Sequence, residues 1–584
     1  MSWIQKLHET YEACVGAQQF AREPLLPVSH TEQQAHIEIV LDPTGLFLRA
    51  ETIRKESTVV PATEESAGRT GKKPPPHPLC DKIQYCAGDY AAFGGLNEPF
   101  FEPYLAQLRL WQAEEPNSKV QAVLNYVEKK HVVADLLGAG LMYCGPGRIL
   151  LTAWDPATPA PELFKMLTPK PKDKRRDQGD AFVRWRVQVP GDPVSALWED
   201  PDVRNSWIRF LASRKANLGL CMVTGKRSVL AASHPKRMRH GADGAKLISS
   251  NDATGFTFRG RVSTPEQAYG VGSVATQKVH AALRWLISRQ GYHDKASGQV
   301  FVAWSVNGTK IPDPFLDTAH LFGDVPPEGN STAASYQGDG GQHFALRLRH
   351  ALAGYRARLS DSDGVVVMGL DSATPGRMAI TYYRELSGSE FLDRVAGWHS
   401  EYAWPQNYSR DNQFVGAPAP REIAETAYGH RLDDALRKAT VERLLPSIID
   451  ARALPPDILR TVVRRVANRN GLEKWEWEKC LGIACALVRG SRKDENYDMS
   501  LEQSRTTRDY LFGRLLAIAD NIEDRAQHLA KEKRDTNAAK LMQRFADHPC
   551  STWRTLELAI TPYKARLRAN RPSVLLEREK LLDT

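Results

Sequence analysis

Apolar residues in the first 405 positions recur with two different periods, which predicts a mixture of helices and strands. Spacings of three and four over 3–20 and 273–290 predict amphipathic helices. Segments 37–41 and 46–48 flank an Asp-Pro-Thr-Gly turn and predict a β-hairpin. Apolar and polar residues alternate over 182–189, which predicts a half-solvated strand. This part of the chain is therefore expected to be a mixed α/β region with small antiparallel sheets.

The pattern changes after residue 405. From residue 423 to residue 582 strand-like segments disappear, and apolar residues follow a helical period over 422–445, 456–468, 474–489, 500–530, 534–547 and 552–569. A Gly-Ala-Pro-Ala-Pro stretch at 416–420 has the composition of a linker. We therefore predict an α+β protein with an α/β region over 1–405 and a C-terminal helical bundle over 406–584.

Composition excludes several classes of protein. The eight cysteines form no Cys-x-x-Cys pair, so neither a zinc nor an iron–sulfur site is predicted. The N-terminus lacks the basic and apolar regions of a signal peptide, and no segment contains the roughly 20 apolar residues needed to cross a bilayer. A soluble cytoplasmic protein without a membrane partner is expected.

The charges are clustered. Lys and Arg outnumber Asp and Glu by 78 to 69, a net charge of +9, and such clusters suit a polyanion. The first cluster lies in a loop that glycines and prolines prevent from forming a helix. Its residues, with two polar neighbours placed to read base edges, are Arg69, Thr70, Gly71, Lys72, Lys73, Lys82 and Gln84. A solvated surface loop remains the alternative.

The second cluster follows an apolar run that ends at a glycine turn, Leu-Cys-Met-Val-Thr-Gly-Lys over 220–226. Interleaved glycines and polar donors favour contact with the nucleic-acid backbone over reading of sequence. The predicted contact residues are Lys226, Arg227, His234, Lys236, Arg237, Arg239, Lys246, Asn251, Arg259 and Arg261. A charged loop on a face that binds nothing is the alternative.

The bundle carries a third set of basic residues near its helix ends: Arg464, Arg465, Arg469, Arg489, Arg492 and Lys493. Helices often carry such charges for solubility alone, so nucleic-acid binding and simple solvation are both open. Trp475 and Trp477 are predicted to be packing residues rather than base-stacking platforms.

No sequence motif marks a reaction centre. The sequence lacks a His-Glu-x-x-His pair, a Gly-x-Ser-x-Gly elbow and a phosphate-binding Walker loop. Gly-Val-Gly-Ser-Val-Ala at 270–275 does not follow a strand, as a dinucleotide site would require. We therefore predict no catalytic residue, no metal and no cofactor. A metal-dependent nuclease with dispersed carboxylate ligands stays open as an alternative, because such ligands need not be adjacent in sequence.

Several short motifs, taken in order, resemble the large subunit of the type I-C CRISPR interference complex (Cascade). They include Arg-Thr-Gly at 69–71, Leu-Cys-Asp at 79–81, Cys-Met-Val-Thr-Gly at 221–225, His-Pro-Lys at 234–236, Trp-His at 398–399 and Tyr-Leu-x-Gly-Arg-Leu at 510–515. Together they span nearly the whole chain.

This resemblance implies a non-catalytic role in antiviral defence. A subunit of this kind recognises the protospacer-adjacent motif (PAM) in double-stranded DNA, assists duplex opening and R-loop stabilisation, and helps to recruit the helicase–nuclease. The implied partners are crRNA, target double-stranded DNA, and the backbone, 5′-handle-binding and small subunits of Cascade. The resemblance also implies that the C-terminal bundle is similar to the small subunit.

Overall fold

The computed structural model describes residues 2–69, 74–214, 218–241, 243–249, 269–293, 298–323, 340–374 and 376–583. The chain divides into two compact units. The first contains residues 1–289 and 372–379, and the second contains residues 290–371 and 380–584. The predicted domain boundary near 405 falls within the second unit.

The first unit is built around a three-stranded sheet of order β2–β1–β3. Strand β1 (His30–Leu41) pairs antiparallel with β2 (Phe47–Pro61) and parallel with β3 (Val183–Val187). The hairpin predicted over 37–48 is thus confirmed. At its turn, Gly45 has a φ of +86°, and a Cβ there would lie 2.5 Å from the carbonyl oxygen of Ala122, so glycine is required.

Helices cover this sheet, and a small hairpin lies apart from it. The hairpin pairs β4 (Leu218–Leu220) with β5 (Arg227–Val229). The helices are α1 (Trp3–Cys14), α2 (Glu64–Ala67), α3 (Ile83–Cys86), α4 (Phe101–Glu114), α5 (Ser118–Glu128), α6 (Val132–Gly138), α7 (Glu162–Met166), α8 (Pro201–Ser213) and α9 (Ser273–Gln290). The apolar face of β1 packs with large aromatic side chains, including Trp111, Trp185 and Trp207, in one buried cluster.

The second unit begins with an antiparallel sheet of order β6–β7–β8–β9. Its strands are β6 (Tyr292–His293), β7 (Val300–Ser305), β8 (Gly364–Thr374) and β9 (Arg377–Ser387), followed by the hairpin β10 (Trp404–Ser409) and β11 (Asn412–Gly416). The helices of this sheet-containing part are α10 (Thr318–Gly323), α11 (Gly340–Arg356) and α12 (Gly388–Glu401). The tip of the β8–β9 hairpin, 372–379, groups with the first unit.

The rest of the second unit is helical, as the sequence predicts. Its helices are α13 (Pro420–Tyr428), α14 (Asp434–Ile449), α15 (Pro456–Ala467), α16 (Lys474–Ser491), α17 (Arg508–Leu529), α18 (Asn537–Asp547), α19 (Pro549–Asn570) and α20 (Pro572–Asp583). The single run predicted over 422–445 is wrong in one respect, because Gly429, with a φ of +96°, ends α13 and separates it from α14. The α+β assignment is confirmed.

Strand β3 is less solvated than its alternating pattern predicts. Arg184 and Arg186 occupy the polar positions, and both donate to the buried carboxylate of Glu38 on β1, at 2.9 and 2.6 Å from their Nε atoms. Arg184 also lies 3.9 Å from the ring centre of Trp198. The polar face of this sheet is therefore closed by ion pairs.

Replacing Glu38 should weaken this sheet. In Glu38→Gln the Arg184 guanidinium stays buried without its main counter-charge, and we expect a loss of about 3 kcal/mol in local stability. The measurement is hydrogen exchange of the amides of β1 and β3. Glu56→Gln is the matched control, because Glu56 also pairs with Arg184 but is 60% exposed, and it should cost no more than about 1 kcal/mol. Equal effects of the two variants would contradict the assignment.

The effect should also depend on pH. Burial raises the pKa of Glu38, but hydrogen bonds from Arg186 and Arg184 outweigh it and leave the pKa below the usual 4.5. A carboxyl group with a lower pKa in the folded chain stabilises it above the unfolded pKa, and this gain is lost as the pH falls through the folded value. The difference in stability between the wild type and Glu38→Gln should therefore become smaller as the pH falls below about 4.5.

Candidate nucleic-acid interface

A buried carboxylate organises the first predicted binding loop. Asp81 is fully buried and accepts two hydrogen bonds from the Arg69 guanidinium, at 2.8 and 2.7 Å. It also accepts from the backbone amides of His77 and Lys82, both at 2.7 Å. We call this set of four hydrogen bonds the Asp81 clamp. It holds both ends of the 69–82 segment at one point.

Further contacts fix the chain on either side of residues 70–73. Arg69 lies 4.7 Å from the ring centre of Tyr85 and donates to the Pro75 carbonyl at 3.2 Å, while the Tyr85 hydroxyl donates to the Pro74 carbonyl at 3.3 Å. Burial lowers the pKa of Arg69, but the hydrogen bonds and charge of Asp81 outweigh it, and the pKa lies above its ordinary value. The predicted residues Thr70, Gly71, Lys72 and Lys73 lie outside the described residues.

The two polar neighbours of the loop have different environments. Lys82 is half-exposed, and its Nζ donates to Asp180 at 2.7 Å. Gln84 is only 8% exposed, and its buried Oε1 has no hydrogen-bond partner in the described part of the chain. Lys82 is therefore accessible to a ligand. The Gln84 side-chain oxygen could accept a hydrogen bond from a ligand only if the surrounding chain moved to expose it.

The Cys-Met-Val-Thr-Gly motif forms a tight turn between β4 and β5. The Gly225 amide donates to the Cys221 carbonyl at 2.8 Å, and the Cys221 amide donates to the Lys226 carbonyl at 2.9 Å. The Cys221 sulfur accepts from the Gly272 amide at 3.2 Å. Burial raises the pKa of this thiol, but hydrogen bonds from Thr224 and from backbone amides outweigh it, and the pKa is lowered. The turn leaves Lys226 and Arg227 exposed at its end.

The His-Pro-Lys motif divides its charges between the inside and the surface. His234 is buried, its Nδ1 lies 2.9 Å from the Thr276 hydroxyl, and burial lowers its pKa to about 4. It is therefore uncharged near neutral pH, and its contacts stabilise the fold. Arg237 is exposed and Lys236 is half-exposed. Their backbone carbonyls accept from Arg284 at 3.1 and 2.9 Å, which fixes the backbone below both cations.

Other predicted members of the second cluster also have internal partners. Arg239 pairs with the buried carboxylate of Asp243, with an Nε–Oδ2 distance of 2.8 Å. Lys246 donates to the Ser233 hydroxyl at 2.8 Å, and burial together with the Lys236 charge lowers the Lys246 pKa. Asn251, Arg259 and Arg261 lie outside the described residues. Lys226, Arg227, Lys236 and Arg237 are therefore the described cations of this cluster that face solvent.

Contacts within the first unit join the helix that precedes the first predicted loop to the second basic cluster. Glu64, at the start of α2, accepts from the Ala232 amide at 3.2 Å and is hydrogen-bonded to the Ser273 hydroxyl at the start of α9. Burial lowers the pKa of His77 well below its usual value, and the charges of Arg69 and Arg237 lower it further. The segment that begins with α2 and contains the Asp81 clamp is therefore joined to the second basic cluster, and we call the two together the cationic surface.

Sequence reasoning missed Asp81, Glu64 and Arg284, which position this surface without belonging to its basic clusters. A signal existed for Glu64, because Thr63 and Ser66 form a reciprocal capping box, with distances of 2.9 and 3.1 Å, that starts α2 there. A signal also existed for Arg284, a cation flanked on both sides by apolar residues of α9. Asp81 belongs to the Leu-Cys-Asp motif noted from the sequence, but its role was not predicted, because its main partner lies 12 residues away.

Basic residues of the helical region mostly serve local contacts. Arg465 pairs with Glu476 at 2.6 Å, and Arg469 pairs with Asp520 at 2.9 Å. Arg489 donates to three backbone carbonyls, those of Ser400, Glu401 and Ala403, while Arg492 and Lys493 pair with Glu495 and Glu401. Arg464 is exposed, with no ion pair to any residue that the structure describes. The pairs of Arg492 and Lys493 are exposed, and pairs of this kind stabilise little.

The family of this chain follows from a comparison with known protein families. Residues 7–584 match the family model of the CRISPR-associated protein Cas_Csd1. The chain belongs to the Cas_Csd1 family. No curated protein matched the sequence. The Cas_Csd1 match covers both compact units and therefore includes the Asp81 clamp and the cationic surface, which belong to a CRISPR-associated protein of the Cascade type.

Two further observations complete the description of this Cas_Csd1 protein. Among the described residues, no three His, Cys, Asp or Glu side chains come together in a way that could hold a metal ion. In the same part of the chain, no helix is both long and apolar enough to cross a membrane.

Removing the carboxylate of the clamp should loosen the base of the loop. In Asp81→Asn, one acceptor of the buried Arg69 guanidinium becomes a donor and the counter-charge is removed. We expect the amides of His77 and Lys82 to lose about 3 kcal/mol of protection from hydrogen exchange.

Asp180→Asn is the matched control, because it removes the half-exposed carboxylate that pairs with Lys82 and leaves the clamp intact. It should reduce the protection of the His77 and Lys82 amides from hydrogen exchange by no more than about 1 kcal/mol. Unchanged protection in Asp81→Asn would show that the clamp does not hold the loop.

Proposed function

We propose that this chain is the large subunit of a type I-C CRISPR RNA-guided surveillance complex. In this role it recognises the PAM in double-stranded DNA, assists duplex opening and R-loop stabilisation, and helps to recruit the helicase–nuclease. The observation that carries the proposal is the contact between α2, which precedes the first basic loop, and the second basic cluster in a Cas_Csd1 protein. Guide pairing reads the long target sequence in such a machine, and the protein reads only a short duplex motif.

The first loop is the proposed motif reader. The Asp81 clamp fixes Arg69, and the Tyr85 hydroxyl donates to the Pro74 carbonyl, so the chain is held on both sides of the stretch that bears Lys72 and Lys73. We propose that these two lysines enter a groove of the duplex. Because Arg69 is paired with Asp81, we propose that it positions the loop and does not itself read a base. Lys82 offers a further cation, and the Gln84 oxygen, which is buried, is proposed to accept from a base amino group only where the surrounding chain opens on binding.

The second loop is the proposed backbone contact. Lys226, Arg227, Lys236 and Arg237 face solvent, and each cation that neutralises a phosphate strengthens binding without regard to sequence. His234 and Arg239, which have internal partners, are proposed to hold this loop in shape. The contacts of Asn251, Arg259 and Arg261 with DNA remain predictions.

The other partners follow from the same proposal. A large subunit of this class works with crRNA and with the backbone, 5′-handle-binding and small subunits, and the helical region after residue 420 is proposed to play a part similar to that of the small subunit. Its basic helix ends, from Arg464 to Lys493, are proposed as contacts for nucleic acid within the assembled complex.

Replacing the loop lysines should abolish motif discrimination. In Lys72→Ala/Lys73→Ala, binding of the assembled complex to a motif-bearing duplex should fall about tenfold or more, because base contacts contribute roughly 1–3 kcal/mol each. Binding to a duplex without the motif should change much less, and the complex should still assemble. The measurements are duplex titrations of the purified complex and size-exclusion chromatography.

Two control variants distinguish motif reading from general binding to DNA. Lys236→Ala/Arg237→Ala should weaken binding to both duplexes alike and flatten the dependence of binding on salt concentration. Arg109→Ala/Lys165→Ala removes two exposed cations that have partners elsewhere in the first unit and should leave both titrations unchanged. A motif preference that survives in Lys72→Ala/Lys73→Ala would remove the loop from the proposal.

The proposal also holds that the chain catalyses no reaction by itself. Purified protein incubated with single- or double-stranded DNA and Mg²⁺ or Mn²⁺ should leave the DNA intact, as judged by denaturing gels. Cleavage that a single carboxylate substitution abolishes would instead favour a metal-dependent nuclease with dispersed ligands.

A further inference from the structure

Trp475 is a large aromatic side chain that the fold does not use for packing. It lies in the first turn of α16 and is 58% exposed. Its neighbour Trp477 behaves differently, because its indole N–H donates to the Val466 carbonyl at 3.0 Å and Arg469 lies 4.2 Å from its ring centre. The prediction that both tryptophans are packing residues is therefore wrong for Trp475.

An ion pair joins the two helix ends near Trp475. Arg465, in the last turn of α15, pairs with Glu476 at 2.6 Å and so joins the end of α15 to the start of α16. Lys474 precedes Trp475 in the sequence, and Arg464 precedes Arg465. Both are exposed and have no ion pair with any residue in the described ranges. The exposed acidic residue beside this turn is Glu473, so the cations outnumber it.

We propose that Trp475 is a stacking platform for an unpaired base of a single-stranded nucleic acid, with Arg464 and Lys474 contacting the flanking phosphates. Every base has a π face, so an exposed indole binds single strands with little regard to sequence. Cations beside the ring favour a polyanion over a protein partner, whose contact would bury the ring among apolar groups.

The proposal rests on the proposed function for the source of the strand, since duplex opening leaves one strand unpaired. Binding itself can be tested without duplex opening. The full-length chain is titrated into a labelled single strand of mixed sequence, and fluorescence anisotropy gives the affinity at several salt concentrations.

Trp475→Ala should weaken binding about fivefold or more, whereas Trp475→Phe should keep most of the affinity. The slope of log affinity against log salt should stay the same in both, because no charge is removed. Arg464→Ala/Lys474→Ala should make this slope less steep, by about 0.7 for each phosphate that is no longer neutralised. Leu558→Ala is the matched control, because Leu558 is 76% exposed on another helix of the same unit, and it should change nothing.

A strand with abasic sites separates stacking from other interactions. Trp475→Ala should bind this strand as the wild type does, because no base is present to stack. Equal losses of affinity on the normal and abasic strands, or no loss on either, would overturn the proposal. So would unchanged strand binding combined with failure of Trp475→Ala to assemble with the other subunits, because the ring would then bind a protein.

The two proposals fail in different ways. Trp475→Ala should keep the motif preference that Lys72→Ala/Lys73→Ala loses. Motif preference that does not depend on the loop lysines would contradict the proposed motif reader. If Trp475→Ala still weakened single-strand binding in that case, the proposed stacking platform would be supported.

Discussion

A single buried charge constrains the proposed reading end of this protein. The Asp81 carboxylate has no access to water, and an ionised carboxylate is tolerated there only where donors surround it. Its donors are the Arg69 guanidinium and two backbone amides, one on each side of the short stretch that precedes α3. The chain between these donors must therefore fold back on itself. The position of the loop is a consequence of satisfying that charge.

The same rule divides the basic residues of the first unit into two groups. Arg69, Arg184 and Arg239 pair with buried carboxylates, and their charges are neutralised inside the protein. Lys226, Lys236 and Arg237 carry charges that reach solvent. Each internal pair cancels one positive and one negative charge, so the excess of +9 is carried by groups outside these pairs.

Local patterns in the sequence predicted local structure well. The hairpin turn at 42–45, helix α9 and the helices after residue 455 all follow from spacing and turn chemistry that lie within a few residues of each other. The basic loops were predicted from local composition of the same kind, and their binding role stays a prediction. Pairings across long stretches of sequence were not predicted, such as the parallel alignment of β1 with β3 or the hydrogen bond of Glu64 with Ala232. Periodicity records which face of an element is buried, but it does not record what that face meets.

Exposure was the other quantity that the sequence did not supply. Trp475 and Trp477 lie two positions apart in one helix, so their side chains point about 200° apart, and one is packed while the other is open. His234 and Arg237 likewise stand three residues apart with opposite exposure. In each pair the residue type alone suggested a shared role. The backbone conformation directs one side chain inwards and the other towards solvent.

The path of the chain between the two units has a practical consequence. The first unit consists of residues 1–289 together with residues 372–379. Lys246 forms backbone hydrogen bonds with Gly376 and Met378 of this second segment, at 3.1 and 3.0 Å. A fragment cut near residue 290 would therefore lack the partner strand beside the basic segment. Dissection into separately expressed halves would leave this edge unpaired, whereas circular permutation or an internal excision of the second unit would preserve it.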